Sequence, residues 1–290
     1  MAKTYGVVST KGGVGKTTVA ANLGGILADM NQRVLIIDAD FQQSLSNFYH
    51  IAHKAPLGLR EALMNANPES CISQTNIPDL HIIYSNDPKQ DILNWLRQSS
   101  SHVLNFTAML VPLKDLYDYI IIDTQGAGGI LQESVILASD ELISPIPPDY
   151  IDSKEFIRGT VRMLNDLEPP EALRSFRPPL PNLHGLIYRQ DRTNHAKIIA
   201  QSLRKQFHAV SNGKVKILQT VIADLSSYKK SAGYKLPVHR IEVKRQGNTL
   251  SAHDAMLALV HELEPHLSDI TPMWDTKITH SEPVNHSAES

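Results

Sequence analysis

One cysteine, Cys71, stands in 290 residues, so no disulfide can close within a chain and no cysteine-ligated zinc or iron–sulfur site can be built there. Such sparing use suits a reducing cytoplasm. No stretch approaches the roughly 18 apolar residues of a membrane helix. The start, MAKTYGVVST, holds a short apolar run broken by glycine and does not read as a signal peptide. A soluble chain is expected. The 13 histidines are scattered, with no H-E-x-x-H pair, and read as ordinary surface and core residues. There is no internal repeat, and no helix-turn-helix segment stands ahead of residue 11, so a reader of one specific operator is not expected.

What is present is a full core: hydrophobic residues make up 42% of the chain, enough for one large α/β domain. Short β-branched runs recur at 4–9, 33–38, 80–85, 117–123 and 141–146, separated by segments of helical period such as 17–30 and 130–139. That alternation predicts βαβ units around a buried, mostly parallel, doubly wound sheet with helices on both faces. Residues 88–112 read as one or two amphipathic helices. The sequence EPPEALRSFRPPLP carries five prolines and marks 168–182 as a surface insertion. Strands are expected again near 183–189 and 215–221, helices at 194–208 and 251–267, and a basic loop between. One domain over 1–267 and a polar, disordered tail over 268–290 complete the expectation.

The chemistry is concentrated in STKGGVGKTT, residues 9–18. Gly12, Gly13, Val14, Gly15, Lys16, Thr17 and Thr18 follow a strand and open a helix, the setting in which backbone N–H groups and a helix N-terminus face an anion. Lys16 would neutralise β and γ phosphates, and the Thr17 hydroxyl would bind Mg²⁺. Asp123 ends the run YIIID, at the sheet edge where a carboxylate can hold Mg²⁺ directly or through water. Asp38 and Asp40 end VLIID, and either could orient an attacking water. Thr17, Asp38 and Asp123 are the metal candidates.

The motif KGGVGKTT, with VLIIDADFQQS and YDYIIIDTQG, resembles the deviant Walker A ATPases of the ParA/MinD type over residues 1–267, closest to the Soj-like partitioning members. The resemblance implies a P-loop fold, ATP and Mg²⁺ as cofactors, and a nucleotide-sandwich homodimer in which Lys11 reaches the phosphates of the other subunit. It assigns hydrolysis to Asp40 beside Lys11 and Lys16, magnesium to Asp123, and γ-phosphate sensing to 40–46 and 124–129. It also puts part of an adenine pocket at SPIPPDY, with Pro147 and Asp149 as contacts.

The formal net charge of -2 conceals a polarised distribution. Residues 184–250 contain 13 Lys plus Arg against 3 Asp plus Glu, while the remainder carries 15 against 27. Arg189, Arg192, Lys197, Arg204, Lys229, Lys230, Lys235, Arg240, Lys244 and Arg245 are the candidate contacts to DNA phosphates. Contact of that kind is sequence-independent and sensitive to salt. Two such patches in an ATP dimer would gain avidity. The resemblance implies the same cycle: the ATP dimer binds double-stranded DNA nonspecifically on the nucleoid, and a ParB-like partner triggers hydrolysis and release. Intrinsic turnover is expected to be slow.

Three other readings stand beside this one. The same engine could position a cargo other than DNA. A MinD-like membrane ATPase needs a basic amphipathic C-terminal helix, whereas 268–290 holds Pro272, Pro283, four acidic residues and only Lys277. A metabolic ligase of this fold would be expected to lack the basic region.

Overall fold

The most apolar runs become the innermost strands. VLIIDA and YIIIDT are buried at every position, as β-branched residues covered on both faces of a parallel sheet should be. The protein is described by a computed structural model covering residues 1–65, 67–126, 128–149, 156–169, 179–191, 193–210 and 214–274. Its strands are β1 (Lys3–Val7), β2 (Val34–Ala39), β3 (Ile51–His53), β4 (Ser73–Thr75), β5 (Leu80–Ile83), β6 (Tyr119–Thr124), β7 (Glu141–Ile146), β8 (Asn182–Gln190) and β9 (Val215–Ala223). They form one sheet in the order β3-β4-β5-β2-β6-β1-β7-β8-β9. Every pairing from β5 to β9 is parallel, whereas β3 and β4 add an antiparallel edge.

Helices cover both faces: α1 (Lys16–Asp29), α2 (Leu59–Asn65), α3 (Asp91–Gln98), α4 (Asn105–Leu110), α5 (Ile130–Ala138), α6 (Arg162–Leu167), α7 (Asn194–Val210), α8 (Ser226–Tyr234), α9 (Val238–Ile241) and α10 (Ala252–Leu263). One core joins Leu23, Ile26 and Leu27 of α1 to Ile36, Ile121 and, from α10, Met256 and Leu259. A second lies on the opposite face, where Ile37 and Ile122 meet Phe106, Leu110 and Val135. Each such side chain contributes about 1.5–3 kcal/mol by leaving water, so the sheet is a stiff platform for whatever its strand ends carry.

The doubly wound sheet and the seven expected strands are all present. The short β3 and β4 were not foreseen, since three residues are too few to show a period. The expected basic loop is instead helical over Ser226–Tyr234 and Val238–Ile241. The expected tail does not begin at 268: the Met273 N–H donates to the Asp29 carbonyl at 2.7 Å, and the Trp274 ring lies edge-on to His239 at 5.4 Å. Of the proline-rich segment, 170–178 lies outside the described residues, as does 275–290 of the tail.

Candidate functional site

Parallel register brings three strand ends together. Asp38 of β2 pairs with Asp123 of β6, and Asp123 pairs with Val7 of β1, just ahead of the glycine-rich loop. The loop then enters α1, whose free N–H groups face the same edge. Gly15 sits at φ 101°, and a Cβ there would collide with the Tyr188 ring. Only glycine fits that turn. Gly126 is excluded from larger residues for another reason: its Cβ would meet the Gly12 Cα at 2.5 Å, so Gly126 lies directly against the loop.

The charges at this edge are buried. Lys16 is 6% exposed, and its Nζ donates to the Lys11 carbonyl at 3.4 Å. Burial holds its ammonium below the ordinary lysine range, against the opposing pull of Asp123 and Asp40. Asp123 is fully buried, and neither carboxylate oxygen has a hydrogen-bond partner. Burial and the Asp38 charge push its pKa well up, with the nearby Thr17 hydroxyl and the Lys16 charge pulling the other way, although that hydroxyl does not meet the geometry of a hydrogen bond. Asp38 is equally buried but is held: it accepts from Ser46 N at 2.7 Å and Ser46 Oγ at 2.6 Å, and from Asp40 N at 3.1 Å. Burial nevertheless raises it to about 6.

An orphaned buried carboxylate is costly, and here it stands beside a second carboxylate and a threonine at a helix N-terminus. A hard divalent cation fits that donor set. Among the described residues no group of three or more His, Cys, Asp or Glu could hold a metal, so an ion here would depend on Thr17, water and ligand phosphates as well. Asp40 is partly exposed, and its Oδ1 caps its own turn by accepting from Gln42 N at 2.9 Å.

Lys11 is partly buried, and its N–H donates to Ser9 Oγ at 3.2 Å. It lines a cleft of about 350 Å³ with Gly12, Gly13, Val14, Pro147 and Asp149, so the two expected adenine contacts do open toward the phosphate loop. Arg189 and Asp224 also border that cleft. A neighbouring hollow of about 220 Å³ lies between Gly13, Gly15 and Thr18 on one side and Tyr188, Tyr228 and Lys229 on the other.

Sequence reasoning missed several of these groups. Ser46 ties the 40–46 segment to Asp38 and also accepts from Ser85 N at 2.9 Å. Gln132 bridges Ser9 O at 3.1 Å and Thr124 Oγ1 at 3.2 Å, linking the end of β6 to the loop. Neither belongs to a spaced motif. Tyr188 stood next to an arginine that was read only for its charge.

The candidate DNA contacts separate. Lys197, Lys229, Lys230, Lys235 and Lys244 are exposed. Arg240 is not: it is 6% exposed, with Nε and Nη2 on Asp29 at 2.7 and 2.5 Å. A guanidinium buried against Asp29 is not on the surface to meet a phosphate, and Arg240 is withdrawn from the set. Arg204 is withdrawn as well, because its Nε and Nη2 donate to the carbonyls of Leu218 and Gln219 at 3.0–3.2 Å. Arg189 faces Asp224 at 3.7 Å and Arg245 faces Glu242 at 2.9 Å. Arg192 lies outside the described residues.

The family described as "AAA domain" matches residues 2–167. Among curated proteins, a virulence plasmid ParA family protein of Chlamydia psittaci is 34% identical over 149 residues, 51% of this chain and 58% of that protein. The sporulation initiation inhibitor protein Soj of Bacillus subtilis is 30% identical over 57% of this chain and 66% of its own length. The chain thus spans between about half and two thirds of the curated relatives it matches. Among solved structures, a McdA–ATP complex from Cyanothece is similar with a TM-score of 0.74 at 20% identity, covering 94% of this chain and 99% of that one. The cell division ATPase MinD of Pyrococcus furiosus is similar with a TM-score of 0.69 at 20% identity, over 92% of this chain and 100% of that one. At such identities these structures speak to the fold.

Proposed function

Because the chain belongs to the AAA-domain family matched by its residues 2–167, and within it to the ParA/MinD-type ATPases, we propose that it is a partitioning ATPase. ATP and Mg²⁺ are its cofactors in this reading. The observation that carries it is the pairing of a glycine-rich loop at a helix N-terminus with Asp123, a buried carboxylate with no hydrogen-bond partner. Asp123, Asp38 and Thr17 would hold magnesium, which when bound supplies positive charge to the phosphates.

The chain's own groups do the rest. Backbone N–H groups of 12–18 and Lys16 receive the triphosphate. Lys16 is already stripped of water, so an anion at the loop restores the counter-charge that burial removed. Asp40, on a short turn beside Asp38, orients the attacking water. The walls formed by Pro147, Asp149, Tyr188 and Tyr228 exclude solvent from the nucleoside. Lys11 crosses to the nucleotide of a second copy, so that ATP favours the dimer because it binds that state better.

DNA is the partner favoured by the exposed lysines of 197–244, which the dimer would present in duplicate for nonspecific, salt-sensitive phosphate contact. A ParB-like activator would release it by stimulating hydrolysis, which is slow alone. No helix among the described residues is long and apolar enough to cross a membrane. Contact with DNA of this kind would place the protein on the nucleoid, in the cytoplasm. A cargo other than DNA is the second reading, favoured by similarity to a maintenance of carboxysome distribution protein A at 30% identity over 60% of this chain.

Sedimentation and DNA binding with ATP, with ADP and without nucleotide test the proposal together. A dimer and DNA retention are expected only with ATP and magnesium, and Lys11→Ala is expected to keep nucleotide affinity while losing the dimer. A chain that stays monomeric with a non-hydrolysable analogue would refute it. An ATP dimer indifferent to DNA would favour the other cargo.

A further inference from the structure

The outer strand β9 is interrupted where it should be most regular. Gly185 of β8 pairs with Ile217, but Ile187, two residues on, pairs with Val221, four residues on. Two extra residues are therefore inserted in β9 around Leu218–Thr220. Farther along, Tyr188 and Gln190 pair with the consecutive residues Ile222 and Ala223, leaving Arg189 as a bulge in β8, at φ 60°. Bulges bend a strand and re-aim the residues beyond them.

The β9 bulge is clamped from two helices. Arg204 of α7 donates to the Leu218 carbonyl through Nε and Nη2 at 3.2 and 3.0 Å, and to the Gln219 carbonyl at 3.0 Å. Glu262 of α10 accepts from Gln219 N and Thr220 N, both at 2.8 Å. Four backbone groups of an unpaired strand edge are thus satisfied by two side chains of opposite charge. Each bond is charge-assisted, and each side chain is at least partly shielded from water, where such bonds are strong.

The consequence lies at the strand's end. Sliding β9 by two residues would keep the same faces in and out but would carry Asp224 past the end of β8. With the bulge in place, Asp224 N donates to the Gln190 carbonyl at 3.0 Å, and its carboxylate meets Arg189. Both border the clefts beside the phosphate loop, and Tyr188, one residue from the bulge, covers Gly15.

We propose that Arg204 and Glu262 are positioning residues for the nucleoside-facing wall of the site: by fixing the β9 bulge they set where Tyr188, Arg189 and Asp224 stand opposite Gly13–Thr18. This rests on the nucleotide reading above. The clamp side chains reach the glycine-rich loop only through Tyr188, so their loss is expected to weaken the grip on the nucleoside end of a nucleotide more than the phosphate cradle.

The test compares the affinities of a fluorescent ATP analogue and of inorganic tripolyphosphate in the full chain, in Arg204→Ala, in Glu262→Gln and in the double variant. Leu110→Ala, in the opposite core, serves as a control for lost stability. Expected is a loss of about tenfold for the ATP analogue, a clearly smaller loss for tripolyphosphate, and a double variant no worse than the worse single one, because both hold one bulge. Leu110→Ala is expected to lower the melting temperature without that selective loss. Should Arg204→Ala fail to fold, Glu262→Gln, which keeps its volume, carries the test. Unchanged affinity for the ATP analogue in a folded variant, or equal losses for both ligands, would overturn the clamp. Failure of the unaltered chain to bind the ATP analogue would overturn the nucleotide reading itself, and with it the clamp.

Discussion

Helix α1 has a buried carboxylate problem at each end, and the two ends solve it differently. At its C-terminus, Asp29 is 4% exposed and fully engaged, by Arg240 through two nitrogens and by His239 Nε2 at 2.7 Å. At its N-terminus, Asp123 is equally buried, has no hydrogen-bond partner, and shares the strand ends with Asp38. The Asp29 carboxylate is saturated, although His239 Nδ1 beside it has no partner, and it ties α1 to α9 while the Asp29 backbone carbonyl holds Met273. The Asp123 carboxylate is incomplete in hydrogen bonds and stands beside a second buried carboxylate, which is what the proposed magnesium site requires. Burial alone does not tell the two carboxylates apart; the hydrogen bonds that each accepts do.

Breaking the closed end has the largest expected effect on stability. Asp29→Ala strands a buried guanidinium, and a loss of about 3–5 kcal/mol is expected, measurable as a lowered urea midpoint. At the open end the sign reverses. Asp123→Asn removes a charge that burial and Asp38 oppose more than Lys16 and Thr17 offset, so the ligand-free chain is expected to gain about 1–2 kcal/mol while losing stabilisation by ATP with magnesium. Destabilisation of the ligand-free chain by Asp123→Asn would show that the two ends are alike after all.

The open end was legible in the sequence and the closed end was not. A phosphate loop is contiguous, so Gly12–Thr18 declares itself, and Asp38 and Asp123 are the last residues of obvious strands. Asp29 and Arg240 are separated by most of the chain, and no local pattern joins them. Arg240 and Arg204 were therefore counted with exposed lysines in a basic stretch, although one neutralises a buried aspartate and the other closes a strand edge. The fold was readable for the same reason as the loop: β-branched runs of five or six residues carry their own period. The three-residue strands β3 and β4, and the helices inside the basic segment, are fixed by tertiary contacts that leave no such mark.

The smallest expected effect lies in pH. In the folded chain Asp38 titrates at about 6, above its unfolded value near 3.9. Between those values the folded state holds the extra proton, so without metal stability falls as pH rises from about 4 to about 6. Asp29 is shifted the opposite way: its hydrogen bonds to Arg240 and His239 outweigh burial and hold it below the ordinary carboxylate range. Its contribution is therefore in place above that range and is lost only in more acid solution. The two ends thus act in separate windows. In EDTA, lowering pH from 7 to 5 is expected to raise the melting temperature of the unaltered chain relative to Asp38→Asn by a few degrees, equivalent to about 1 kcal/mol. Histidine titration is common to both proteins and cancels in the difference. Parallel curves would mean that Asp38 bears no buried charge to relieve, and that the open end is already satisfied without a ligand.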